Sequence, residues 1–134
     1  MLVVDDADDV RDLLSFLLAR AGAQVQGAVS AAEAFHCLIS QDFDLLISDL
    51  GMPEEDGYSL VARWRLHEAA TRGRDDRMPA VSLTAYARPE DRMRALAAGF
   101  DVHLPKPMSP GELVAALCDL LAQADARRRP SATA

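Results

Sequence analysis

Strand-like and helix-like stretches alternate along this sequence, and no other feature constrains its fold as strongly. LVVD (2–5) is an apolar run of strand type. VRDLLSFLLARAG (10–22) carries apolar residues at helical spacing, with Gly22 as its stop. AQVQGAV (23–29) alternates as a strand does, and SAAE, starting at Ser30, is a capping box that opens a helix over 31–39. DLLISD (44–49) is again an apolar strand ending in an acid, and GYSLVARWRLHEAA (57–70) is an amphipathic helix. PAVSLTA (79–85) is a fourth strand. PEDRMRALAAGF (89–100) is a fourth helix, with Pro89 suited to its first turn and Gly99 to its end. DVHL (101–104) is a fifth strand. SPGELVAALCDLLAQA (109–124) is the last helix, where Ser109, Pro110 and Glu112 supply cap, first-turn proline and capping-box glutamate. Five strands alternating with five helices predict an α/β fold: a doubly wound, five-stranded parallel sheet covered on both faces.

The chain has 134 residues, which fits one domain with one core. We assign 1–125 to that domain and 126–134 to a flexible C-terminal tail, with 70–78 as a polar surface loop. The net charge of −7 argues against a nucleic-acid partner, which needs a basic face. Cys37 and Cys118 match no paired-cysteine motif and, in apolar helix-like stretches, read as buried, reduced thiols, consistent with a cytoplasmic protein. No apolar run approaches the ~18 residues of a membrane span, and MLVVDD at the start has no signal-peptide pattern. No membrane contact by this domain is expected.

In an open α/β sheet the working residues gather at the carboxyl ends of the strands. Asp5 and Asp6 follow strand 1, Asp49 ends strand 3, Thr84 ends strand 4, and strand 5 runs into Lys106. Singly, such acids also serve as turn formers or helix caps. Together, three carboxylates at close quarters repel and need a cation. All-oxygen ligands suit Mg²⁺, with Mn²⁺ as the alternative. A hard dication beside a carboxylate nucleophile is equipment for phosphoryl transfer to an aspartate. Lys106 is the only lysine; the other thirteen of the fourteen Lys+Arg residues are arginines. A compact ammonium on a flexible stem reaches one phosphoryl oxygen as a point charge, and a planar guanidinium is no simple substitute. The prolines flanking Lys106 fix how the chain leaves the strand, and a cis Lys106–Pro107 bond is compatible with them.

VVDD (3–6), LLISDLGMPEEDGY (45–58), SLTAYA (82–87) and LPKP (104–107) resemble the motifs of the receiver domain of two-component response regulators. The resemblance covers 1–125 and implies a (βα)5 flavodoxin-like receiver fold. It implies Asp49 as the phosphoacceptor, with Mg²⁺ bound by Asp6, Asp5, Asp49 and the Gly51 carbonyl. Thr84 becomes the switch hydroxyl and Lys106 the holder of the phosphoryl group. The implied donor is a phosphohistidine on a sensor histidine kinase or a phosphotransfer protein. The domain is then not a classical enzyme, although its phosphorylation and dephosphorylation are self-catalysed. Its readout face toward a downstream protein is helix 4, strand 5 and helix 5, and a monomer or weak dimer is expected. Gly51 and Tyr86 stand where side chains admit or block attacking water. His103 departs from the pattern: the family usually has Tyr or Phe three residues before the lysine.

The stretch TAYARPEDRMRALAAGFDVHLPKP resembles receivers of hybrid histidine kinases. With the abrupt start at strand 1, this favours an excised hybrid-kinase receiver over a stand-alone regulator or a degenerate interaction module. Two rivals fit less well. A haloacid-dehalogenase-type phosphohydrolase needs D-x-D, yet Leu50 and Gly51 follow Asp49. A flavodoxin-like nucleotide binder needs a small-residue phosphate loop after strand 1, where DDADD stands instead.

Overall fold

A computed structural model describes residues 1–52, 54–72, 77–84, 88–106 and 109–128, with side chains described up to Ala126. The expected strands and helices all form. They are β1 (Leu2–Val4), α1 (Asp8–Arg20), β2 (Gln26–Ala28), α2 (Ala31–Ser40), β3 (Leu46–Asp49), α3 (Gly57–Thr71), β4 (Ala80–Thr84), α4 (Pro89–Ala98), β5 (Val102–Pro105) and α5 (Pro110–Arg128). The five strands make one parallel sheet in the order β2-β1-β3-β4-β5. The chain therefore winds outward from β1 to β2, crosses back past β1 to β3, and continues the other way to β4 and β5. A crevice opens at the carboxyl ends of β1 and β3, where that direction reverses.

Both faces of the sheet are buried, as the apolar runs require. Leu2, Val4, Leu46 and Ala80 pack with α2, α3 and Ala95 of α4. Val3, Ile47, Val81 and Leu83 point the other way, onto Leu14 and Leu18 of α1 and Leu113, Leu117 and Leu120 of α5. Consecutive residues of one strand thus serve opposite layers.

The element ends follow local chemistry. The Ser30 hydroxyl accepts from the Glu33 N–H at 3.2 Å, and Ser109 does the same for Glu112 at 3.2 Å. Asp56 caps α3 through the Ser59 N–H at 2.9 Å. Gly22 has φ +97 and closes α1: its N–H donates to the Ala19 carbonyl and that of Ala23 to the Leu18 carbonyl. Cys37 is buried as expected, but Cys118 is exposed, because it stands on the outer side of α5 beside the inward Leu117. Several element boundaries also differ from expectation. α1 starts at Asp8 rather than 10, behind Ala7, which offers no capping side chain. β2 is three residues long, shorter than the alternating 23–29 stretch. α5 continues to Arg128, three residues into the stretch expected as a tail; 129–134 lie outside the described residues. No helix among the described residues is long and apolar enough to cross a membrane.

Candidate functional site

The crevice at the carboxyl ends of β1 and β3 collects the acids. Asp5 follows β1 and is 2% exposed, Asp6 beside it is exposed, and Asp49 ends β3 partly buried. One carboxylate oxygen from each of Asp5, Asp6 and Asp49 lies within 4.8 Å of the others. From beyond the end of β5, Lys106 brings its Nζ to 2.9 Å from Asp5 Oδ2 and 3.7 Å from Asp49 Oδ1. Thr84 ends β4 fully buried, and its carbonyl accepts the Lys106 N–H at 2.7 Å. That bond ties the end of β4 to the start of the segment carrying the lysine. The residues singled out in the sequence thus stand at the same ends of neighbouring strands.

The electrostatics are those of a crowded anionic crevice. Burial pushes the Asp49 carboxyl above its ordinary value, and Asp5 pushes it the same way. Lys106 and the backbone N–H groups of Leu50 and Gly51 pull it back. The Leu50 N–H donates to Asp49 Oδ1 at 2.9 Å. Ser48 steadies the same turn by donating its hydroxyl to the Asp49 carbonyl at 2.8 Å. One ammonium shared between two carboxylates leaves a net negative charge with Asp6 beside it. Hard oxygen donors in that charge state fit a divalent cation of the Mg²⁺ type. Asp5, Asp6 and Asp49 are the side chains that could hold it, and the Gly51 carbonyl lies two residues beyond Asp49.

Sequence reasoning missed Gly57 as a site-forming residue. A Cβ there would come within 2.4 Å of the Asp49 carbonyl oxygen and 3.1 Å of Leu50 Cα. Only glycine lets the start of α3 pass this close to the backbone bearing Asp49. The Gly57 N–H also donates to the Leu50 carbonyl at 3.0 Å. The signal was in the sequence, as a glycine just after the cap Asp56, but helical periodicity does not report close approach. Glu54, in the same β3–α3 connection, holds a left-handed φ of +68.

His103 is more constrained than a half-exposed strand residue. Its Nδ1 lies 2.7 Å from the hydroxyl of fully buried Ser82, directly across from it on β4. Its Nε2 is buried without a hydrogen-bond partner among the described residues. The ring is therefore held inward from one side. Tyr86 and the Lys106–Pro107 bond, singled out from the sequence, lie outside the described residues.

The family model of the response regulator receiver domain matches residues 1–118. An uncharacterised 14.6 kDa protein in the sodA1 3′ region of Leptolyngbya boryana is 48% identical over 85% of this chain and 83% of its own length. The transcriptional regulatory protein GltR of Pseudomonas aeruginosa is 40% identical over 92% of this chain, but over 49% of its own length. The chain spans about half the length of such curated regulators. Among solved structures, the Vibrio cholerae chemotaxis protein CheY4 superposes with a TM-score of 0.80 at 30% identity, covering 89% of this chain and 95% of that one. A CheY-like receiver domain protein from Methanospirillum hungatei superposes at 0.83 with 25% identity, covering 93% and 94%.

Proposed function

Because this chain belongs to the response regulator receiver family, as a receiver domain of two-component systems, we propose that it accepts a phosphoryl group on Asp49 from a phosphohistidine. The donor in this reading is a sensor histidine kinase or a phosphotransfer protein. The observation that supports it most is the meeting of three carboxylates with one ammonium, 3.7 Å from Asp49.

In this reading an Asp49 oxygen attacks phosphorus, the P–N bond of the donor breaks, and an acyl phosphate forms. Burial leaves the Asp49 carboxylate poorly solvated and raises its basicity, which favours attack. Lys106 donates to one phosphoryl oxygen; to do so its ammonium gives up part of its contact with Asp5. The Thr84 hydroxyl takes a second oxygen. Mg²⁺, or Mn²⁺ in its place, held by Asp5, Asp6, Asp49 and the Gly51 carbonyl, supplies neutralisation of the charge on the transferring group. Turning Thr84 toward the phosphoryl group moves the start of the β4–α4 connection. That biases a two-state equilibrium read out on the α4–β5–α5 face by a downstream protein. A monomer or weak dimer acting in the cytoplasm completes the reading. Its parent is a hybrid histidine kinase, with a stand-alone regulator or a binding-only module as the alternatives.

The test uses a labelled phosphohistidine donor protein mixed with this chain. Label that moves to the wild type and not to Asp49→Asn supports the reading. Label that stays on every donor tried, or that reaches Asp49→Asn equally well, contradicts it.

A further inference from the structure

Asp5 is fixed from four directions. Its N–H donates to the Ala28 carbonyl at 3.2 Å, its Oδ1 accepts from the Ala7 N–H at 3.0 Å, and its Oδ2 accepts from Lys106 at 2.9 Å. The fourth contact comes from Arg11, whose Nη1 donates to the Asp5 carbonyl at 2.8 Å. Arg11 has no part in the phosphoryl chemistry described above. Its side chain is 15% exposed, and its other terminal nitrogen pairs with Asp8. Its stem lies along Gly27 of β2, where a Cβ would meet Arg11 Cδ at 3.0 Å and Cγ at 3.3 Å. The side chain is thus held at three points: by packing on β2, by an acid on its own helix, and by the carbonyl it serves.

That carbonyl belongs to the peptide joining Asp5 to Asp6. Turning this peptide plane would move the Asp6 carboxylate relative to that of Asp5. We propose that Arg11 is a positioning residue for the divalent cation: by holding the Asp5–Asp6 peptide it sets how those two carboxylates converge with Asp49. The inference rests on the cation-dependent acceptor site proposed above. A rival explanation treats Arg11 only as a positive charge near the acids. The two differ in sign. A bare cation opposes a second cation, so removing it would tighten divalent binding. Loss of a group that orients ligands weakens metal binding, typically by about 10- to 100-fold.

The test is a Mn²⁺ titration of the whole chain, following free Mn²⁺ by electron paramagnetic resonance, with melting curves alongside. Arg11→Met is the main variant. Gly22→Ala is the stability control: it strains the φ +97 turn after α1, loosens the same helix, and touches none of the acids. The expected result is that the wild type binds Mn²⁺, Arg11→Met binds it at least about 10-fold more weakly, and Gly22→Ala keeps wild-type affinity. Equal or tighter binding by Arg11→Met overturns the inference in favour of the charge-only explanation. Equal weakening in both variants also overturns it, since general loosening then explains the loss. If Arg11→Met does not fold, Arg11→Gln replaces it: weaker Mn²⁺ binding than in Gly22→Ala supports the inference, and equal or tighter binding overturns it. Failure of the wild type to bind Mn²⁺ overturns the cation-dependent reading itself, and this inference with it.

Discussion

Lys106 stands alone among arginines, and its surroundings give the reason. Its Nζ sits 2.9 Å from Asp5 Oδ2 and 3.7 Å from Asp49 Oδ1, a place between two carboxylates that suits a point charge on a thin stem. Lys106→Arg keeps the charge but widens the head group. It should slow phosphorylation of Asp49 about 100-fold or more, as measured with a small phosphodonor; a rate close to that of the wild type would show that any cation suffices. Asp49 carries a second prediction. Its folded pKa is raised, chiefly by burial, so its charged form is disfavoured by folding. Its ionisation therefore costs stability at neutral pH, and that cost fades as pH falls through the raised value and Asp49 protonates. In metal-free buffer Asp49→Asn should melt above wild type at pH 7, with the gap narrowing on acidification toward the ordinary carboxylate range. A gap that widens on acidification would contradict the direction of the shift. The acids, Thr84 and Lys106 were legible in the sequence because strand ends are legible. The Ser82–His103 contact was not, because it depends on the register of β4 against β5.

At the scale of elements, the sequence marks starts and stops well where side chains cap them. Ser30, Ser109 and Gly22 behave as their types predict. The start of α1 was hidden because Ala7 offers no capping oxygen; the Asp5 carboxylate takes the Ala7 N–H instead. Asp8 and Asp9 then fill the first turn, where the helix dipole favours them. β2 reads longer in the sequence than it is, since alternation continues beyond the residues that pair with β1. The β3–α3 junction gives the sharpest prediction at this scale. Gly57→Ala would force a Cβ against the Asp49 carbonyl, and a backbone carbonyl, unlike a side-chain tip, cannot swing aside. It should cost about 1–3 kcal/mol in denaturant unfolding and also lower Asp49 phosphorylation. Unchanged stability would mean that the junction relaxes freely.

The whole molecule has its chemistry at one end of the sheet and a polar clamp at the other. Arg65 of α3 donates to the Gly99 carbonyl at 2.9 Å, to Glu68 at 2.9 Å, to the Met78 carbonyl at 2.6 Å and to Asp101 at 3.0 Å. Glu68 in turn accepts the Met78 N–H at 2.6 Å, and Asp101 accepts the Ala80 N–H at 2.8 Å. Arg77 adds a contact to Asp101 at 3.2 Å. Burial lowers the Arg65 guanidinium from its ordinary value, and Glu68 opposes that. The clamp joins α3 to the entry of β4 and to the α4–β5 turn. Arg65→Met would leave the buried Glu68 carboxylate without its cation and Asp101 with Arg77 alone, and should destabilise the fold by about 3–5 kcal/mol; a negligible loss would show that water replaces the guanidinium. The alternating pattern made the doubly wound fold legible, but not this clamp, whose members are far apart in sequence and look like ordinary surface charges. Across the whole molecule, fold and clamp together serve one proposed event, the cation-dependent acceptance of a phosphoryl group by Asp49. Intact mass after incubation with acetyl phosphate, with Mg²⁺ or with a chelator, and beside Asp49→Asn, tests it most directly. The expected result is a gain of one phosphoryl group that requires Mg²⁺ and is absent from Asp49→Asn. No gain in the wild type, or an equal gain in Asp49→Asn, would contradict it.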